Sequence, residues 1–240
     1  MPLQITEILG PSPQGQARPY QCRAEDGHLY YVKGRQTNRA SLWHEWICGH
    51  LAQQCGLPVP PFSLVEVSPE LLAEAPPEWR EMGDGTAFGS QLHHTALWFE
   101  PSMVKDVPET VQRDVLVFDW WVRNGDRLTG NPNLLWDGSA KQLVVIDHNS
   151  AFDPDFSVDT FMKSHIFAKQ WPAVYNDLVA QAQYSERLEA ALQVLPAVRA
   201  SAPPEWHWGN PEMDVPANFD WEAVQQTLAR CTCSNFWRTV

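Results

Sequence analysis

The sequence holds no uninterrupted apolar run near the roughly 20 residues that a membrane-spanning helix needs. Basic clusters are missing too: 17 Lys and Arg face 29 Asp and Glu, a net charge of −12. A nucleic acid held by its phosphates needs clustered cations, so it is excluded as the main ligand. An anionic membrane surface is excluded on the same ground. The five cysteines cannot all pair, and their spacing lays out no disulfide framework. Reduced thiols in a cytoplasmic protein are the expectation. The amino-terminal stretch MPLQITEILG lacks the basic leader and long apolar core of a signal peptide. Internal repeats and low-complexity tracts are absent.

Aromatic and aliphatic residues, by contrast, are abundant. With 44% hydrophobic residues, 12 Trp and 10 Phe, the 240-residue chain can bury one large core or two smaller ones. ITEIL, YQCRA and HLYYVKG read as strands, the last two joined across EDG. SLWHEWICGHLAQQC reads as a helix capped by Ser41 and stopped by Gly56 and Pro58. PFSLVEV and TAFGSQL continue the strands, and residues 68 to 87 form a surface excursion rich in Pro, Glu and Gly. The composition then shifts. DVPETVQRDVLVFDWWVRN is helical, with Val111, Val115, Phe118 and Val122 on one stripe and Asn124 and Gly125 at its end. NLLW and KQLVVID make a hairpin about Asp137-Gly138. Residues after Phe161 read as helical, with a Pro- and Trp-rich linker at 202 to 216. The expectation is an α+β chain: a strand-rich part over 1–92 and a mostly helical part over 93–240.

The chemistry gathers in RNGDRLTGNPNLLW, residues 123 to 136. A helix delivers Asp126 to a loop, Asn131 precedes a strand, and that strand returns along QLVVID to Asp147. The hairpin brings its own ends together, so Asn131 and Asp147 are expected as neighbours with Asp126 close by. One carboxylate to take a hydroxyl proton, with an amide and a second carboxylate to hold Mg²⁺, is what phosphoryl transfer requires. Asp followed by Asn after four intervening residues matches the catalytic-loop spacing of protein kinases. Asn133 is a rival to Asn131, ranked second because Pro132 starts the extended segment. Asn, Asp and Gly are also common turn residues, and a loop of plain turns is the bland alternative. Upstream, Lys33 closes the strand LYYVK, and Glu45 is the one acid in its helix. A strand lysine paired with a helix glutamate is how kinases set a cation on the α- and β-phosphates.

Taken together, YYVKG, HEWICGHLAQQCGLPVPP, FDWWVRNGDRLTGNPNLLW and VVIDHNSAF resemble the HipA-like kinases, within the broader protein-kinase-like and phosphoinositide-kinase-like superfamily. The resemblance runs from about Ile5 to Asp155, and more loosely through the helical tail. It implies a two-lobed kinase fold with ATP and Mg²⁺, or Mn²⁺, in the cleft between. It also implies γ-phosphoryl transfer to a hydroxyl, Ser or Thr of a protein. By the same resemblance Asp126 is the catalytic base, assisted by Asn124 and Arg127; Asn131 and Asp147 hold the metal, and Lys33 and Glu45 anchor the nucleotide. Ser90, Gln91 and Leu92 are expected to meet the base. The chain departs from the pattern in its length, which is short beside the toxin members so that no toxin role is implied, and in two places along the sequence. No G-x-G-x-x-G precedes Lys33, since GPSPQGQARP offers only Gly10 and Gly15, and Leu128 stands where related lipid kinases carry histidine. A nucleotide-binding module without turnover, and a kinase of small molecules or lipids, are the alternatives. The acidic composition suits a basic acceptor or partner.

Overall fold

A computed structural model describes residues 1–12 and 18–238. Residues 13–17, which include Gly15 of the glycine-poor loop, lie outside the described residues. The chain forms two compact units that interleave along the sequence. One comprises residues 1–46, 60–94 and 201–219, and the other 47–59, 95–200 and 220–240.

The first unit is built on β1 (Leu3–Pro11), β2 (Tyr20–Ala24), β3 (Leu29–Lys33), β4 (Phe62–Val67) and β5 (Gly85–Gln91), with the helices α1 (Arg39–Gln54) and α2 (Pro69–Glu74) between strands. The strands close into a barrel in the order β1-β2-β3-β5-β4, the closing β1–β4 pair being parallel. Alternation along each strand supplies the filling. Tyr20, Cys22 and Ala24 of β2 point inward, with Tyr30 and Val32 of β3, Val65 and Val67 of β4, and Ala87 of β5. Gly89 lets β5 approach: a β-carbon there would lie 2.7 Å from Val65 Cγ1. The hairpin between β2 and β3 turns at Gly27, φ +83°, where a left-handed residue is needed.

The first unit's share of α1 buries Leu42, Trp43, Glu45 and Trp46. Its start is capped by Asn38, whose Oδ1 accepts the Ser41 N–H at 2.8 Å, three residues ahead of the Ser41 cap expected from sequence. Both residues can cap, and only the backbone geometry decides between them. The excursion at 68–87 is ordered as α2 and a 3₁₀ turn, Pro77–Met82, with Ser68 capping α2 through Leu71 N. The segment 201–219 returns to this unit through aromatic contacts. Trp206 is fully buried and donates from Nε1 to Thr86 O at 3.0 Å. Trp43 donates to Trp206 O at 3.1 Å and stacks on Phe219 with ring centres 4.8 Å apart.

The second unit holds the short sheet β6 (Ala96–Trp98), β7 (Leu134–Asp137) and β8 (Gln142–Val145), in that order, and the helix α3 (Glu109–Val122). Around α3 lie α4 (Val158–Ser164), α5 (Trp171–Tyr175), α6 (Leu178–Ala191), α7 (Leu195–Ser201) and α8 (Trp221–Ala229). Every residue of α3 from Val115 to Val122 is buried. A helix buried on all sides must satisfy its polar side chains internally. Its indoles do so by donating from Trp120 Nε1 to Phe236 O at 3.0 Å and from Trp121 Nε1 to Leu228 O at 2.8 Å. No helix among the described residues is long and apolar enough to cross a membrane. The class is α+β, strand-rich in front and helical behind.

Candidate active site

In the first unit, alternation along β3 sets Lys33 on the face opposite the inward-pointing Tyr30 and Val32, where it is nevertheless buried, and the i, i+3 spacing on α1 puts Glu45 on the face shared with Leu42. Lys33 Nζ and Glu45 Oε1 form a buried ion pair, with side chains 9% and 4% exposed. A lysine at a strand end usually reaches water, so this burial needs its carboxylate. Ser90 of β5 pairs with Tyr31 and Phe62. The N–H of Gln91 donates to Pro61 O at 2.8 Å and that of Leu92 to Leu29 O at 2.7 Å. Both N–H donors are engaged within the first unit.

The second unit carries the acids. Helix α3 ends at Arg123 in the left-handed conformation, φ +51°, which turns the chain toward Asn124 and Asp126. The loop does not run straight from Asp126 to the strand. Leu128 and Asn131 bond each other's backbones, Leu128 N to Asn131 O at 3.2 Å and Asn131 N to Leu128 O at 3.1 Å. That tight turn leaves Asn131 exposed. The hairpin register pairs Leu134 with Val145, which sets Asn133 opposite Ile146 and next to Asp147. Asn133 is buried and donates from Nδ2 to Asp126 Oδ2 at 3.1 Å. The amide beside the acid is therefore that of Asn133. The five-residue spacing concealed the turn that lengthens it to seven.

Asp126 and Asp147 are close enough to interact. Burial pushes the Asp126 carboxyl above the usual range, Asp147's charge pushes it further, and the Asn133 amide opposes the rise. Asn133 and Asp147 both stand at positive φ, +48° and +58°. Non-glycine residues hold that conformation where surrounding structure imposes it, and such positions cluster at functional sites.

Arg127, expected to help orient Asp126 or the phosphates, is fully buried. Its Nε donates to Asp119 Oδ2 at 2.6 Å and its Nη2 to Asp119 Oδ1 at 3.3 Å. Its Nη1 donates to Pro132 O at 3.2 Å, Asn133 O at 2.6 Å and Ile146 O at 3.2 Å. Asn124 Nδ2 donates to Asp119 Oδ1 at 2.9 Å, and Asn124 Oδ1 accepts the Asp126 N–H at 3.3 Å. His165 Nε2 lies 2.9 Å from Asp119 Oδ2. Burial alone would raise the Asp119 carboxyl, but the Arg127 charge and the His165 contact outweigh it and hold the group well below the usual range. Burial lowers the His165 pKa, with Asp119 opposing. Asp119 escaped the sequence reading. The available signal was an acid set among Phe118, Trp120 and Trp121, where burial demands a cationic partner.

Whether Mg²⁺ suits this group is a question of donors. Asp126, Asp147 and Asn133 offer only oxygen ligands, the hard donors Mg²⁺ selects. Among the described residues no group of three or more His, Cys, Asp or Glu could hold a metal. One carboxylate, Asp147, and one amide, Asn133, are the kind of set with which Mg²⁺ binds when phosphate oxygens complete its shell.

An α+β protein with a buried strand-lysine pair and an acid–amide hairpin site has the parts of a phosphotransferase. Residues 5–240 match the family model described as HipA-like kinase, and the chain belongs to the HipA-like kinase family. Among solved structures, a proinflammatory kinase of Helicobacter pylori, CtkA, is 15% identical, with 97% of this chain and 95% of that chain covered. Its TM-score is 0.51, a likeness of fold. No curated protein matches the sequence.

Proposed function

We propose that this chain transfers the γ-phosphoryl group of ATP, with Mg²⁺ or Mn²⁺, to a hydroxyl, and that the acceptor is Ser or Thr of a protein. The observation that carries this reading is the hydrogen bond from Asn133 to Asp126 with Asp147 beside them, in a chain of kinase ancestry. Bound Mg²⁺–ATP supplies the phosphoryl group and neutralises its charge. Asp126 accepts the proton of the attacking hydroxyl. Its raised pKa makes it a stronger base than a solvated aspartate, and Asn133 fixes the direction of its free lone pairs. Asn133, in preference to the exposed Asn131, and Asp147 supply the oxygens for the metal. Lys33, held by Glu45, contacts the α- and β-phosphates. Asn124 orients the Asp126 backbone. Such transfers ask little covalent work of the protein, and positioning and charge do most of it. The net charge of −12 favours a basic acceptor.

The test is a radiolabel transfer assay with wild type and Asp126→Ala, offered basic proteins, inositol lipids and small alcohols. Label on protein, lost in the variant, is the expected result. Label on lipid or metabolite alone would overturn the protein acceptor, and nucleotide binding without turnover on any acceptor would overturn the enzyme.

A further inference from the structure

We propose that Asp119 and His165 are positioning residues: they hold Arg127 so that its guanidinium locks the backbone on both sides of Asn133 and at the entry to Asp147, the candidate metal ligands. The inference rests on the phosphotransfer reading above for what those ligands do, and on geometry alone for the lock.

The carbonyls that Arg127 Nη1 meets are informative by their place in the chain. Those of Pro132 and Asn133 flank the Asn133 α-carbon on either side, and that of Ile146 belongs to the peptide leading into Asp147. Asn133 N–H and C=O directions are thus set together with the entry to Asp147. The two loops are also tied directly, by Ile146 N donating to Asn133 O at 3.2 Å. Both ligand residues hold positive φ, a conformation Asn and Asp tolerate without requiring it, so surrounding contacts select it. One guanidinium supplies those contacts at both loops.

Arg127 is in turn fixed by a saturated carboxylate. Asp119 Oδ1 accepts from Asn124 Nδ2 and Arg127 Nη2, and Oδ2 accepts from Arg127 Nε and His165 Nε2. The His165 donor role follows from its other nitrogen, because Nδ1 accepts the Phe167 N–H at 3.1 Å and so carries no proton in the neutral ring. Two bonds on each oxygen saturate the buried carboxylate, and one cation faces one anion. Remove the His165 donor and Oδ2 loses one of its two bonds, which frees the arginine fork to shift. Partners behind metal ligands commonly change metal affinity ten- to hundredfold when lost.

The experiment uses the full chain with Mn²⁺ and a non-hydrolysable ATP analogue, reading Mn²⁺ binding by electron paramagnetic resonance. Backbone amide exchange is read in parallel on the metal-free protein. His165→Leu is expected to weaken Mn²⁺ at least tenfold and to speed exchange at residues 133, 134 and 147, with the circular dichroism of wild type. His165→Gln, which can still donate to Asp119, restores most of both. Should the leucine variant not fold, His165→Asn, neutral and too short to reach, takes its place. Wild-type Mn²⁺ affinity and unchanged exchange in His165→Leu would overturn the inference. If wild type takes up no Mn²⁺ with the nucleotide analogue, the phosphotransfer reading fails. The exchange arm then decides the lock by itself: faster exchange supports it and unchanged exchange refutes it.

Discussion

Replacing Asn133 separates the two asparagines of the loop. In Asn133→Ala the hydrogen bond to the Asp126 carboxylate is lost, and an alanine must sit at φ +48°. A hydrogen bond to a charged group contributes about 1.5–3 kcal/mol. The left-handed backbone adds roughly 1 kcal/mol for a residue without asparagine's tolerance of it. The expected loss of stability is therefore about 2.5–4 kcal/mol. Asn133→Gly keeps the backbone relaxed while deleting the same amide, so it isolates the hydrogen-bond share. Asn131→Ala changes an exposed turn residue and is expected to stay within about 0.5 kcal/mol of wild type. Urea denaturation measures stability, and Mn²⁺ titration with a nucleotide analogue measures the site. Both Asn133 variants should bind Mn²⁺ at least tenfold more weakly, while Asn131→Ala binds as wild type. Loss of Mn²⁺ in Asn131→Ala with retention in Asn133→Gly would refute the assignment.

Three further outcomes follow from the same contacts. Lys33→Met leaves Glu45 buried without its cation and should cost about 3–5 kcal/mol in a chemical melt. Adding Glu45→Leu should recover part of that stability but none of the transfer activity. Asp126→Asn should raise the melting temperature of the metal-free protein, because the folded carboxyl has a raised pKa and its ionisation opposes folding. The sign requires the gain to be full above the folded pKa of Asp126. It should disappear as the pH falls below the ordinary aspartate value, and calorimetry from pH 8 to about 3 checks this. Gly89→Ala should destabilise by about 1–3 kcal/mol, since its β-carbon would meet Val65 Cγ1 at 2.7 Å, and Val65→Ala should relieve part of the loss.

Local signals carried much of the fold. Strand alternation marked β2 to β5, Asp137-Gly138 marked the β7–β8 turn, and the stripe Val111, Val115, Phe118 and Val122 marked α3. β6 was missed because three residues at a sheet edge make too short a pattern. The Asn38 cap was missed because Asn38 and Ser41 compete on equal chemical terms. The helical content of 68–87 was hidden by prolines that serve as first-turn residues.

The sequence by itself determined which residue types were available for the chemistry: an acid after a helix, two amides before a strand, an acid after its return, and a strand lysine with a helix glutamate. Those are matters of local periodicity and turn chemistry, and they are readable because neighbours in sequence are neighbours in space. The tertiary structure decided which amide meets Asp126, because a backbone turn at 128–131 and the Leu134–Val145 register set that distance. It also decided that Arg127 points into the core toward Asp119 and His165, residues 8 and 38 positions away. Burial and pairing across such separations are fixed by packing of distant segments, which no local pattern encodes.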